Sequence, residues 1–173
     1  MPRQLIHRGR KIEVFVDKTA LPDGTTVQRD IIVHPGAVVI LPMVDDSRVC
    51  LLRNERPIVG ETLWELPAGT LEPDEPPDQA AVRELAEETG YTAARWRKLC
   101  ECYASPGCLT ERFHLFAAEG LTGGESRPEK DEHLEPHVIA WEQAIGWTID
   151  GTIRDAKTIA GLLLWDRLRR PAK

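Results

Sequence analysis

Apolar and polar positions alternate early in the chain, where Ile12, Val14 and Val16 interleave with Glu13, Phe15 and Asp17 in the period-2 pattern of a strand. A Pro22-Asp23-Gly24 turn leads into a second such run ending near Val33, which predicts a hairpin-like arm over residues 1–35. His34-Pro35-Gly36 then punctuates the chain, with His34 read as shaping the turn. Residues 36–173 are expected to form the main domain. Ala37 to Leu41 is a continuous β-type run, the pattern of a strand covered on both faces. Asp45-Asp46-Ser47 reads as a turn, Val49 to Leu52 as a strand, and Asn54 to Trp64 as a loop. Helical spacing appears after Pro76-Pro77, where Val82, Leu85, Ala86 and Thr89 recur at i, i+3, i+4 and i+7, with Gly90 placed to end the helix. Strand-like runs follow at Leu99 to Tyr103, Phe113 to Ala117 and Val138 to Trp141, and helical composition returns at Glu142 to Trp147 and Asp155 to Arg169. Mixed strands and helices around a central acidic helix predict an α/β sandwich.

Composition narrows the function more than the fold. The 173 residues carry 28 acids against 22 bases, a formal charge of −6, with no Lys/Arg block, which excludes a nucleic-acid footprint. The apolar runs are too short to span a bilayer, and the first twelve residues lack the apolar core of a secretory signal, so a cytoplasmic protein is expected. Cys100, Cys102 and Cys108 lie close together but lack a second knuckle, and they are read as reduced thiols in place of zinc ligands. Trp64, Trp141 and Trp165 are read as core or interface residues, with Trp64 a candidate to line a pocket near Arg56.

On a wheel of about 100° per residue, Glu84, Glu87 and Glu88 share a face opposite the apolar stripe. That placement predicts that Glu88 points away from the packed side. Like charges at these spacings oppose the helix by a few tenths of a kcal/mol each. The patch is either a solvated acidic face or the seat of a hard divalent cation such as Mg2+ or Mn2+. Its surroundings favour the cation. Gly69 is followed after five residues by Glu75, then after seven by Arg83-Glu84-Leu85, then by Ala86, Glu87-Glu88, Thr89, Gly90 and Tyr91.

That string is the box G-x5-E-x7-R-E-U-x-E-E-x-G-U, and in it the sequence resembles the Nudix hydrolases, departing only at Tyr91, where the family prefers an aliphatic residue. The resemblance implies an α/β/α sandwich and a metal-dependent hydrolase of nucleoside diphosphates linked to another moiety. It implies Glu84 and Glu88 as main metal ligands, Glu87 close by and the Ala68 carbonyl completing the set. Arg83 is then expected to orient the glutamates, and Glu75 to make a structural ion pair with the helix.

Outside the box, Ser105-Pro106-Gly107 followed by Glu111, with Pro106 fifteen residues after Tyr91, is similar to the ADP-ribose pyrophosphatase subfamily. So are Glu55 to Gly60 and Trp64 to Gly69. This further likeness implies a homodimer that exchanges its N-terminal arms, each arm holding the adenine of the partner's substrate. Arg56 becomes the candidate diphosphate contact, Arg29 and Ile12 candidate adenine contacts, and Ser105 and Glu111 candidates near ribose and metal. Glu132 is the candidate general base, with Glu135 as the substitute. The expected reaction is Mg2+-dependent cleavage of ADP-ribose to AMP and ribose 5-phosphate. Another nucleoside diphosphate sugar such as GDP-mannose, or FAD, is the rival substrate. A non-catalytic nucleotide sensor is disfavoured because Glu84, Glu87 and Glu88 are all present.

Overall fold

The computed structural model describes residues 3–127 and 133–170. The arm holds three strands, β1 (Gln4–Arg8), β2 (Glu13–Ala20) and β3 (Thr26–Val33), paired antiparallel in the order β1-β2-β3. The alternation over Ile12 to Asp17 thus marks a real strand, while β1, whose five residues are all exposed, escapes a reading based on apolar spacing. Gly24 closes the β2–β3 turn at φ 85°, a left-handed conformation that costs glycine little. No residue of these three strands is fully buried. The arm is tied to the rest at its base, where Ile32 donates its N–H to the Cys108 carbonyl at 2.7 Å and accepts from Thr110 N at 2.9 Å.

The second sheet contains β4 (Ala37–Asp45), β5 (Arg48–Arg56), β6 (Glu61–Glu65), β7 (Ala68–Thr70), β8 (Thr92–Tyr103), β9 (Arg112–Thr122) and β10 (Leu134–Ala140). Its main path runs β10-β5-β4-β9-β8, with β6 on β5 and β7 on β4, and only β4 and β9 run parallel. The stretch from Asn54 to Trp64, expected as a loop, is instead a hairpin: Arg56 sits opposite Glu61 and Leu52 opposite Glu65. Its polar side chains hid the pairing, because this edge of the sheet has little apolar surface to alternate.

Three helices, α1 (Pro77–Thr89), α2 (Trp141–Asp150) and α3 (Ala156–Arg169), cover the two faces. Odd positions of β4 (Val39, Leu41 and Met43) pack with Leu115, Trp141, Leu162 and Trp165 toward α2 and α3. Even positions Val38 and Ile40 pack with Phe116, Ala80, Ala81 and Leu85 toward α1. A strand buried on both sides has no polar face, which is why Ala37 to Leu41 reads as one apolar run. The α/β/α sandwich expected from the sequence is the observed architecture.

One element turns differently from expectation. The helix α1 buries Ala80, Ala81, Glu84, Leu85, Glu88 and Thr89, while Val82 is 49% exposed. Small alanines let the helix backbone approach the sheet, and this close approach rotates the buried face toward two of the glutamates. Glu88 therefore points into the protein, at 4% exposure, and not away from the packed side. Gly90 ends the helix at φ 73°, and a Cβ there would stand 2.6 Å from the Gly124 carbonyl oxygen.

Candidate active site

The Gly69 segment and α1 meet because β7 pairs with β4, on the face of the sheet that α1 covers. Ala68 N donates to Glu88 Oε2 at 2.9 Å, fixing the helix to the strand through a buried carboxylate. Gly69 lies beneath Glu84, and a Cβ added there would fall inside the Glu84 carboxylate. The glycine is needed for close approach, not for a left-handed turn. Arg83 gathers the remaining acids: Nε and Nη2 donate to the two oxygens of Glu75 at 2.9 Å each, and Nη1 donates to Glu84 Oε1 at 2.8 Å and Glu87 Oε2 at 3.0 Å. The hydrogen bonds from Arg83 hold the Glu75 carboxyl below its ordinary range, and those to Glu75 push the guanidinium above its own.

Beside this cluster opens a cleft of about 640 Å³, floored by Ala68, Gly69 and Glu84. Arg10 and Lys11, from the β1–β2 connection of the same chain, stand on one side, and Arg56 and Lys157 contribute further cations. Arg56 binds Glu65 in bidentate fashion, Nε to Oε1 at 2.8 Å and Nη2 to Oε2 at 2.7 Å. Lys157 Nζ reaches the same Oε2 at 2.8 Å and Asp155 Oδ1 at 2.9 Å. Burial on its own would raise the Glu65 pKa; the hydrogen bonds and charges of Arg56 and Lys157 outweigh it and hold the carboxyl at about 2.

A carboxyl whose folded-state pKa is depressed contributes stability that is full above its unfolded value of 4.5 and is lost as pH falls toward about 2. Urea unfolding across this window is expected to show a falling free energy, and Glu65→Gln is expected to flatten that fall while costing about 2 kcal/mol at neutral pH. An unchanged pH slope in Glu65→Gln would show that other carboxylates carry it.

The other residues singled out from sequence are distributed unevenly. Arg56 and Glu111 line the cleft, with Glu111 Oε1 3.6 Å from His34 Nδ1. His34 shapes its turn as expected, its Nδ1 accepting from Gly36 N at 3.1 Å. Ser105 sits one residue past the cleft-lining Ala104, its carbonyl accepting from the Cys108 and Leu109 amides at 3.2 and 2.9 Å. Ile12 is half-buried in the arm and Arg29 is exposed on β3 opposite Asp17; among the described residues neither lines this chain's cleft. Glu132 lies outside the described residues. Glu135 stands 3.9 Å from Arg53 and 3.5 Å from His137, beside a separate depression with Glu55 and His133. Trp64 packs on His137 and Trp147 and is not among the described residues that line the cleft. The residues that sequence reading missed are Arg10, Lys11, Glu65, Asp155 and Lys157. Glu65 and Lys157 are 92 residues apart, and no local periodicity announces their pairing.

Whether a metal suits this site depends on donor chemistry. As they stand, Glu84 and Glu87 turn to Arg83 and Glu88 to Ala68 N, and no three acidic, His or Cys side chains among the described residues converge on one point. The donors are nonetheless the right kind. Carboxylate oxygens beside a strand carbonyl, with glycine admitting close approach, match the preference of hard divalent cations for oxygen. The residues present fit such an ion.

The chain belongs to the Nudix family: the model of the NUDIX domain matches residues 33–162. It is 37% identical over 158 residues, 90% of this chain and 85% of the relative, to the ADP-ribose pyrophosphatase of Bacillus subtilis. It is 33% identical over 163 residues, 84% of each chain, to a GDP-mannose pyrophosphatase of Citrobacter koseri. A crystal structure of an ADP compounds hydrolase superposes with a TM-score of 0.85, covering 97% of this chain and 91% of that one at 21% identity.

Proposed function

We propose that the protein is a Nudix hydrolase that cleaves the diphosphate of ADP-ribose to AMP and ribose 5-phosphate with Mg2+. The observation that carries this reading is the apposition, in one cleft, of the Glu84 carboxylate with the cations Arg10, Lys11 and Arg56. A dianionic diphosphate needs cations along its length and metal ligands at the scissile bond, and this cleft offers both. The ADP-ribose pyrophosphatase relatives supply the substrate class, and the GDP-mannose pyrophosphatase relatives keep that sugar nucleotide as the second reading.

Glu84, Glu87, Glu88 and the Ala68 carbonyl would hold the metal, which when bound neutralises diphosphate charge and lowers the pKa of a water. Arg56 grips a phosphate from the far side of the cleft, and Arg83 keeps the glutamates oriented. Water attacks phosphorus, the bond to the bridging oxygen breaks, and the water's proton passes to a carboxylate on the loop after Gly123-Gly124. Glu132 is the chosen base; Glu135, the substitute, lies on β10 opposite Arg53 and beside a depression separate from the cleft. One end of that loop is tied to the glutamate helix, where Arg127 N donates to the Glu87 carbonyl at 2.7 Å, and the other to β5, where the His133 carbonyl accepts from Glu55 N at 3.2 Å. Ser105 and Glu111 are assigned to the ribose and metal side. Ile12 and Arg29 are assigned to adenine across an arm-exchanged homodimer, a reading supported by three arm strands with no buried residue.

Purified protein with Mg2+ is expected to turn over ADP-ribose faster than GDP-mannose, FAD, NADH or diadenosine polyphosphates, with AMP and ribose 5-phosphate as products. GDP-mannose as the preferred substrate would replace the first reading with the second. Nucleotide binding without turnover of any compound would leave a sensor.

A further inference from the structure

The N-terminal turn of α3 is built into the cleft by a chain of buried polar contacts that the diphosphatase chemistry does not by itself require. Asp155 caps the helix, accepting from Thr158 N at 3.0 Å and from Thr158 Oγ1 at 2.5 Å. Thr158 is fully buried, and its Oγ1 accepts from Leu66 N at 2.7 Å, two residues before Ala68. Three residues along α3, Gly161 leaves room for Leu66, whose Cδ1 would stand 2.7 Å from a Cβ there. The helix start is thus fastened to the strand segment that leads into the metal-binding box. From the same turn, Lys157 bridges Asp155 to Glu65, and Glu65 holds Arg56 by both oxygens.

Exposure falls along this relay to Glu65 and rises only at its last member. The side chains of Asp155, Lys157 and Glu65 are 16%, 12% and 2% exposed, and that of Arg56 is 44% exposed. Glu65 is buried, Asp155 and Lys157 are part-buried in the cleft wall, and Arg56 is the most open member. The two acids and two bases balance, so the four-residue relay as a whole is neutral. Lys157 is the link without which Glu65 Oε2 loses its second donor and the Glu65–Arg56 fork can swing. A flexible arginine must lose its freedom on binding, whereas one held in place does not.

We propose that Lys157 is a positioning residue for diphosphate recognition, acting through Glu65 on the orientation of Arg56. The proposal rests on the reading of Arg56 as a diphosphate contact but not on ADP-ribose being the substrate, since every rival substrate carries the same group. The test is a double-mutant cycle of Lys157→Met and Arg56→Gln, read as the dissociation constants of ADP and of inorganic pyrophosphate with Mg2+, and as KM and kcat for the best substrate. Lys157→Met is expected to weaken both ligands and raise KM about tenfold with kcat changed less, the scale of losing a supporting contact to a binding group. In the Arg56→Gln background the same substitution is expected to change binding less than twofold, and Lys157→Arg is expected to restore most of the wild-type affinity. Additive losses would mean that Lys157 touches the ligand itself or acts elsewhere, and would overturn the proposal. Unchanged affinity in a folded Lys157→Met protein would do the same. Should Lys157→Met fail to fold, Lys157→Gln, which keeps a donor but no charge, decides the matter by the same cycle. Wild-type protein that binds diphosphates yet hydrolyses no ADP-ribose would defeat the substrate reading while leaving this cycle readable; protein that binds neither ADP nor pyrophosphate would defeat both.

Discussion

Glu88→Gln is expected to lower kcat about a thousandfold while leaving the protein folded. The side chain is nearly inaccessible, at 4% exposure, and Oε2 accepts from Ala68 N at 2.9 Å. Glutamine has the same shape and keeps a carbonyl oxygen for that N–H, so the helix stays fixed to β7. What it removes is the negative charge that the proposed metal site requires of this residue. Losing one pre-placed electrostatic contact in a water-poor site typically costs about 10²–10³ in rate, or roughly 3–4 kcal/mol. Stability is expected to move far less, because substitution relieves the repulsion among neighbouring carboxylates that a metal-free protein carries. Glu87→Gln should cost much less, since the Glu87 side chain is 42% exposed and meets the cluster through Arg83 Nη1, which also holds Glu84. Paired measurements of kcat and thermal unfolding check this. A Glu88→Gln enzyme with more than a tenth of normal kcat, or one that fails only because it unfolds, would remove Glu88 from the ligand set.

The same residue shows how far sequence reading reaches. Spacing alone places Glu84, Glu87 and Glu88 on one helix, and the box identifies the family, because those features are local and repeat with a helix period. Which way the helix faces is not local. Val82 scores as core and is half exposed, while Glu84 and Glu88 score as surface and are buried, since two alanines set how close the helix lies to the sheet. The strand β4 is legible because burial on both faces leaves no polar position in its run. The hairpin over Arg56 to Glu61 is not, because charged side chains fill it. Arg56 was readable as a site residue, but its buried partner Glu65 and the α3 residues behind it are joined only by the folded chain.

Charge gains meaning in the same way. Residues 61–91 hold nine acids and one base, so the remainder of the chain sums to +2. In the fold, Glu61, Glu72, Asp74 and Asp78 stay exposed, whereas Glu65 sits between Arg56 and Lys157, Glu75 pairs with Arg83, and Glu84 lines the cleft. Five cations, Arg10, Lys11, Arg56, Arg83 and Lys157, line the same cleft. A net charge of −6 therefore coexists with a basic approach to an anionic substrate.

Gly69→Ala offers the sharpest test of that packing, since it adds one methyl group and no charge. Gly69 has ordinary backbone geometry and pairs with Val38 on β4, so alanine fits the strand. Its Cβ, however, would occupy the place of the Glu84 carboxylate. The carboxylate is the flexible end of a long side chain and can turn aside, and the cost in stability is expected to be about 1–2 kcal/mol, at the lower end for an overpacked site. Catalysis has no such tolerance. A ligand displaced by about 1 Å is enough to cost about a hundredfold in rate, and loss of the Glu84 ligand altogether brings the effect close to that of Glu88→Gln. The expected signature is therefore a folded protein, a small fall in Tm, a large fall in kcat and weakened Mg2+ affinity in a titration of activity against metal. A Gly69→Ala enzyme with wild-type kcat and metal dependence would show that Glu84 does its work from somewhere other than above this strand.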